Sequence, residues 1–402
     1  MQQYPDEMIE YDIFKQHKCT LVHRFETKNC ICKGKSTGKP TVLTDNVIEN
    51  IQERINRSPK KAVSQLSQQN GLSVGTCFKA LKKNFHVHPY KATVIQRLYP
   101  PDYVQRVRYS EAKYLSVDPY MRAYSYRLKT DSPMIGSQVA RIIESKSNDF
   151  PVGKCVVGSF DWQTHTISSK GGVGNPYVLP DLNNFPLSFS LGVLGMPGNT
   201  AYFSFLNICK PIAGKTVVIT GAAGAVGCIV GQIGKIKGCK VIGVTGSKSK
   251  GQYLIEKLGF DNYVNYKSAK FEQELKNAAP NGIDYYFDNV AGEISSTIIK
   301  NMNMYGRICV CGSISSYNKD VNDVPKVSSI QLHMLRKQLY MEGYQNHQFA
   351  SRIFESMEQH LKWMNEGKLL YMETITKGFE NTPKAFIEML EGKNLGKAVV
   401  KV

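Results

Sequence analysis

The chain has 402 residues, 42% of them apolar, and a formal charge of +18, enough for two or three domains around a large core. Its apolar runs are short and interrupted, which excludes a membrane-spanning helix, and the start at Met1 lacks the basic stretch and apolar core of a secretory signal. Ten scattered cysteines without a tight framework suit free thiols in a reducing compartment, so a cytoplasmic location is expected. The basic excess is densest before residue 113 and points to an anionic cofactor or nucleic acid as partner.

Residues 1–39 read as an irregular segment. His17, Cys19, His23, Cys30 and Cys32 do not follow the spacing of a zinc module, and two cysteines one residue apart make a poor tetrahedral pair. No metal is expected. From 40 to 108 the pattern is helical. Leu43 to Ile51 opens a short helix with Thr44 or Asp45 as its cap, and Ser58-Pro59 breaks the chain. Ala62, Val63 and Leu66 then share one helical face. Asn70-Gly71-Leu72-Ser73 turns the chain into a second helix with Phe78 and Leu81 inside and Lys79, Lys82 and Lys83 outside. Helix, glycine turn and basic helix fit a DNA-binding helix-turn-helix or an ordinary helical hairpin. The wording from Ser64-Gln65-Leu66-Ser67 to Pro100-Pro101-Asp102-Tyr103 resembles the DNA-binding segment of mariner-type transposases. That resemblance implies DNA binding by this module, although no DDE-type catalytic core follows it.

The next marked pattern runs from Lys215 to Thr245. An apolar run, Thr216 to Thr220, leads into Gly221, Gly224 and Gly227, then an apolar-periodic segment to Lys237 and a second buried run from Val241 to Thr245. Strand, glycine turn, helix, strand is a dinucleotide-binding unit, with the glycines letting the backbone approach a pyrophosphate at the helix N-terminus. NAD sites place an acid about 20 residues beyond the glycines to hold the ribose hydroxyl. Here the strand runs out into Thr245-Gly246-Ser247-Lys248-Ser249-Lys250, with two lysines and no acid. Ammonium groups suit the 2′-phosphate of NADP, so NADPH is the expected cofactor.

From about Lys113 onward five motifs follow in colinear order: Leu115 to Arg122, Gly195 to Phe203, Asp284 to Val290, Cys311 to Asn318 and Asn394-Leu395-Gly396-Lys397. Over these about 290 residues the chain resembles the prostaglandin reductase group of the zinc-independent medium-chain dehydrogenase/reductases. Where the zinc enzymes place a ligand cysteine, this chain has Val117-Asp118-Pro119, and their Gly-His-Glu is Gly136-Ser137-Gln138. Without those ligands alcohol oxidation at a metal is not expected. Reduction of a polarised carbon–carbon double bond needs only a hydride, hydrogen-bond donors and a proton.

The resemblance implies an α/β fold, a Rossmann domain with a doubly wound parallel sheet (194–344) beside a GroES-like β domain (113–193 and 345–402). It implies NADPH-dependent reduction of α,β-unsaturated ketones and aldehydes, alkenals and 15-oxoprostaglandins among them, by a homodimer. A DNA-binding fusion with an inactive reductase half and a quinone reductase of the same superfamily are the alternatives. Gly224, Ala225, Val226 and Gly227 would face the pyrophosphate, and Lys250 and Tyr266 the 2′-phosphate. Asn289, the run Cys311, Gly312, Ser313, Ile314, Ser315, Ser316 and Tyr317, and Asn394 would contact the cofactor further along. Tyr120 is the first candidate donor to the substrate oxygen. Arg336 takes the place of a second family tyrosine. The family's first 35–40 residues supply opening strands of the GroES-like domain. The transposase-like segment stands there instead, joining at Tyr109–Lys113, so either residues 1–112 cover the open sheet or, as expected here, the chain is a fusion or mis-spliced reading with those strands missing.

Overall fold

The computed structural model describes residues 108–129, 131–168, 176–318 and 326–402. The irregular segment at 1–39, the helix-turn-helix-like module up to Val107, and any strands before Arg108 lie outside the described residues.

The first described elements are β1 (Arg108–Val117), a short helix α1 (Tyr120–Tyr124), β2 (Gln138–Ser145), β3 (Cys155–Gly158), β4 (His165–Ser168) and β5 (Tyr177–Val178). Helix α2 (Met196–Ser204) starts with Pro197 near its N-terminus, continues as a π turn (Phe205–Cys209), and is stopped by left-handed Lys210. Then strands and helices alternate: β6 (Thr216–Thr220), α3 (Gly227–Ile236), β7 (Lys240–Thr245), α4 (Lys248–Glu256) and β8 (Asn262–Asn265). They continue through α5 (Phe271–Ala278), β9 (Ile283–Asp288), α6 (Gly292–Lys300), β10 (Met302–Val310), α7 (Gln331–Lys337) and β11 (Tyr340–Gly343). The chain closes with α8 (Ile353–Asn365), β12 (Glu373–Lys377), α9 (Thr382–Leu390) and β13 (Lys397–Lys401).

Strands β6 to β11 form one parallel sheet in the order β11-β10-β9-β6-β7-β8. That is the doubly wound Rossmann arrangement, whose strand order reverses between β6 and β9. All of β6 is buried, as a strand covered by helices on both faces requires. Helix α3 packs tightly enough that a Cβ on Gly231 would lie 1.9 Å from the Phe260 ring. Strand β10 begins at Met302, four residues before Gly306. Its first part is irregular, with left-handed Tyr305 (φ +62°) and a register shift between Met302 and Arg307.

The second sheet is mixed, in the order β12-β13-β1-β2-β3-β5 with β4 also on β1. Strand β1 is its hub, pairing antiparallel with β13 (Leu115 opposite Val400) and β2 (Ala112 opposite Ala140). One apolar cluster runs through both sheets, from Val139 and Val399 to Ile219 and Phe287. Gln232 of α3 also exchanges two hydrogen bonds with the Leu370 backbone, at 2.9 and 2.7 Å. This tie brings the segment leading to β12 against the nucleotide-binding helix.

Candidate active site

Beyond Thr220 the chain turns at Gly221 (φ +60°) and enters α3. A Cβ on Gly227 would lie 2.5 Å from the Gly221 carbonyl oxygen and 2.8 Å from Ala222 Cα. Backbone cannot step aside as a side chain can, so this loop closes only with glycine there. No side chain caps α3. The amides of Cys228, Ile229 and Val230 donate to the Gly224 and Val226 carbonyls, whereas those of Val226 and Gly227 have no backbone acceptor among the described residues and suit an anionic group. Gly224, Ala225, Val226 and Gly227, the residues expected at the pyrophosphate, form this turn.

Past β7, the Ser247 hydroxyl accepts the Lys250 amide at 3.3 Å and caps α4. Lys248 and Lys250 therefore sit in the first turn of a helix. Lys250 Nζ donates to the Gly392 carbonyl at 2.7 Å. No carboxylate pairs with Lys248, Lys250 or Lys267 among the described residues. Burial, and then neighbouring Lys267, pull the Lys250 ammonium below its ordinary range, as expected of a cation without a counter-charge. The Tyr266 ring lies against Gly246, where a Cβ would come within 2.7 Å of its hydroxyl. Lys250 and Tyr266 thus flank the same strand ends.

On the other side of the strand reversal, buried Asp288 ends β9. Its Oδ1 accepts the amides of Val290 and Ala291 at 2.9 and 2.8 Å and the Thr220 hydroxyl at 3.1 Å; Oδ2 accepts the Ser295 hydroxyl at 2.7 Å. Asn289 donates its side-chain amide to the Thr220 carbonyl at 2.7 Å. The amides of Cys311 and Gly312 return to the Asp288 carbonyl at 2.8 and 3.1 Å, and that of Ser315 to Val290 at 3.2 Å. Tyr317 accepts the Ser313 amide through its hydroxyl at 3.0 Å. Asn289 and the run from Cys311 to Tyr317 are therefore knitted into one rim, with Ile314 and Ser316 inside it. Burial pushes the Cys311 thiol up to about 12, so it stays protonated near neutrality.

Tyr120 begins α1, directly after the buried Asp118. Burial first, and then the Asp118 carboxylate, push its phenol upward, partly offset by a hydrogen bond with Ser137. A phenol held protonated in this way is a hydrogen-bond donor. Arg122 Nε donates to Asn318 Oδ1 at 2.9 Å, tying α1 to the Cys311–Asn318 run. The C-terminal segment also reaches the glycine loop: Gly396 donates its amide to Ala223 at 2.8 Å, and Asn394 donates to the Gly396 carbonyl at 2.8 Å.

Arg336 is not brought to these residues. It is exposed on α7, and the next residue, Lys337, donates to the carbonyls of Lys300 and Met302 at 2.6 Å, where β10 begins. Gly224 to Gly227, Asn289 and Cys311 to Tyr317 follow the ends of β6, β9 and β10, while Lys250 and Tyr266 follow those of β7 and β8. Asp161, which sequence reasoning passed over, does stand by Tyr120. It is left-handed (φ +61°), its carboxyl is pushed up to about 6 by burial, and its charge acts on the Tyr120 phenol. An aspartate with positive φ reads in a sequence as an ordinary turn residue. At the positions of the absent zinc ligands, Asp118 pairs with Lys397 at 3.0 Å, and the Gln138 amide donates to the Phe160 and Asp161 carbonyls at 3.1 and 3.0 Å.

Two families match this chain, one described as zinc-binding dehydrogenase over residues 225–364 and one as N-terminal domain of oxidoreductase over residues 105–175. Prostaglandin reductase 1 of Rattus norvegicus is 48% identical over 294 residues, covering 72% of this chain and 88% of the rat protein. The chain belongs to the prostaglandin reductase family. Another member-like relative, the NADP-dependent 2-alkenal reductase of Nicotiana tabacum, is 37% identical over 72% of this chain and 85% of its own length. Among solved structures, CurA of Vibrio vulnificus in complex with NADPH superposes with a TM-score of 0.70 at 36% identity, covering 77% of this chain and 93% of CurA. The two-sheet architecture described above is thus shared with CurA.

Proposed function

We propose that this chain is an NADPH-dependent reductase of the carbon–carbon double bond of α,β-unsaturated ketones and aldehydes, with alkenals and oxo-eicosanoids as its substrate classes. The observation that carries the reading is an uncapped helix N-terminus behind a glycine turn, next to lysines that have no carboxylate partner. These residues fit a dinucleotide bearing a 2′-phosphate, because each anionic group would meet donors or cations with no competing acid. The rat and tobacco relatives, named for such reductions, support the same chemistry.

When bound, the cofactor supplies a hydride for the β-carbon of the enone. The chain's own residues do the rest. Gly224 to Gly227 would hold the pyrophosphate, Lys250 and Tyr266 the 2′-phosphate, Asn289 and Cys311 to Tyr317 would border the reacting end, and Asn394 would approach the cofactor from the C-terminal segment. The Tyr120 phenol donates to the carbonyl oxygen as negative charge gathers there, which requires donors and no metal. Because Arg336 stands apart on α7, Tyr120 takes the donor role without it. The division into a substrate-side domain (113–193 and 345–402) and a nucleotide domain (194–344) belongs to the same proposal. So do a cytoplasmic location, in keeping with the free cysteines, and a homodimer through the sheet edge at β11, where Tyr340 and, on α7, Leu332 and Leu335 are exposed.

Cofactor consumption by the purified full chain tests the proposal, with an alkenal, a 15-oxoprostaglandin and a quinone side by side. Turnover of the first two, much faster with NADPH than with NADH, is expected. Turnover of the quinone alone would mark a quinone reductase. No turnover, with steeply salt-dependent duplex binding, would mark a DNA-binding protein with an idle reductase half.

A further inference from the structure

Lys397, the last residue of the Asn394–Lys397 motif, has no part in the site as proposed. It opens β13 with its side chain 1% exposed. Its ammonium has three acceptors: Asp118 Oδ1 at 3.0 Å, the Val117 carbonyl at 2.7 Å and its neighbour Ala398's carbonyl at 2.9 Å. Asp118 Oδ2 in turn accepts the Ser116 hydroxyl. The ammonium and its partners therefore lock the end of β1, directly before Pro119 and Tyr120. Glu373 approaches from β12 and accepts the Ser188 hydroxyl at 2.6 Å. Burial pulls the ammonium down while Asp118 and Glu373 hold it up.

The residue before it faces the opposite way. Gly396 (φ +65°) bridges to Gly224 and donates its amide to Ala223 at 2.8 Å. A Cβ there would lie 1.9 Å from the Met372 carbonyl oxygen. Further back, Gly392 takes the Lys250 ammonium on its carbonyl. The segment from Gly392 to Lys397 thus touches the lysine cluster, the glycine loop and the turn that carries Tyr120.

A buried ion pair is a poor source of net stability, since an apolar side chain of the same length would fill the space without losing hydration. What an ammonium adds over a methyl group is direction, because its acceptors must stand at fixed angles and distances. We propose that Lys397 is a positioning residue, fixing the Asp118–Pro119–Tyr120 turn against the glycine loop so that the Tyr120 phenol is held in register with the reacting end of the cofactor. This rests on Tyr120 being the donor.

Lys397→Met and Tyr120→Phe, made singly and together in the full chain, test it. NADPH binding is followed by fluorescence, and kcat and KM with an enone. Lys397→Met is expected to lower kcat by about tenfold or more, since small misplacements of a reacting group are costly. Its NADPH Kd should stay within about threefold of wild type, and in the Tyr120→Phe background it should cost less than about twofold in kcat, because residues acting as a unit are not additive. An equal loss in both backgrounds, or a loss confined to NADPH affinity, overturns the positioning role alone. Full kcat in Tyr120→Phe overturns the donor reading and the positioning role with it. If Lys397→Met does not fold, Asp118→Asn breaks the same pair from its other end with little change in size, and must show the same coupling.

Discussion

The glycine loop at 221–227 takes its shape from its own residues, whereas the turn that carries Tyr120 takes its shape from a lysine 280 positions away. In the loop, the constraint is steric and backbone against backbone: the Gly227 position admits no Cβ because the Gly221 carbonyl and the Ala222 Cα stand in its way. At the turn, the constraint is electrostatic and long-range, a buried ammonium with three acceptors. The loop should therefore fail by losing its fold when altered, and the turn by losing its alignment.

The harshest way to break that contrast is Gly227→Val. Overpacking against backbone that cannot move is expected to cost about 3 kcal/mol of stability, read as a lower denaturant midpoint, together with loss of NADPH binding. A variant as stable as wild type would mean the loop adapts, and the steric account would be wrong. Next is Lys250→Ala, which leaves the loop intact and removes one phosphate cation. NADPH Kd should rise about tenfold to a hundredfold, some 1.4–2.8 kcal/mol, with NADH affinity and the unfolding midpoint almost unchanged. Equal weakening of both cofactors would sink the 2′-phosphate assignment.

This contrast also explains what was legible in the sequence. Strands β6 and β7 stand where apolar runs place them, because strands buried on both faces leave a continuous signal; β9, which carries Asp284 and Asp288, is marked instead by the Asp284 to Val290 motif of the resemblance. The Rossmann order follows from strand–helix alternation, and the lysines after β7 announced themselves by the missing acid. The start of β10 was hidden because Tyr305 and Gly306 interrupt the pattern with a left-handed residue and a register shift. Arg336 stands in the sequence place of the second family tyrosine, and nothing in a short α7 without buried residues tells which end of the sheet its last turn reaches. Neither Asp161 beside Tyr120 nor Lys397 on Asp118 could be read at all. A contact between residues far apart in the chain leaves no local periodicity.

His360 extends the long-range side of the comparison to stability. It is fully buried on α8, close enough to α2 that a Cβ on Gly198 would lie 3.1 Å from its Nδ1. Burial lowers its pKa to about 3; the Val193 backbone opposes this too weakly to offset it, and neither ring nitrogen has a partner of hydrogen-bond geometry. The unfolded chain binds this proton near 6.5 and the folded chain only near 3. Its contribution is therefore intact above about 6.5 and is lost as pH falls toward 3, at up to about 1.4 kcal/mol per pH unit. Asp161, raised from 3.8 to about 6, works in the opposite sense, its contribution falling as pH rises through that range. Comparing wild type with His360→Met by denaturant titration from pH 7 to 4.5 isolates the histidine. The variant should show a shallower loss with acid, and an identical slope would mean that His360 is protonated in the fold.

The smallest effect is expected from Arg122→Gln, although Arg122 belongs to the same motif as Tyr120 and visibly bridges α1 to the Cys311–Asn318 run. Its hydrogen bond to Asn318 is good at 2.9 Å, but it is exposed, and water replaces most of what is lost when such a bond is removed. The change should cost less than about 1 kcal/mol in the unfolding midpoint and less than about twofold in kcat. The arginine and Lys397 thus set two ties to the same turn against each other, one wet and one dry. If the wet tie proved the stronger in kcat, alignment of Tyr120 would be set across the mouth of the site by α1 and the facing rim, and the buried ammonium would be only a filler of space. If the order holds, the turn is aligned from beneath, where no solvent competes for the acceptors of Lys397 and where a single proton-bearing group fixes three oxygen atoms at once.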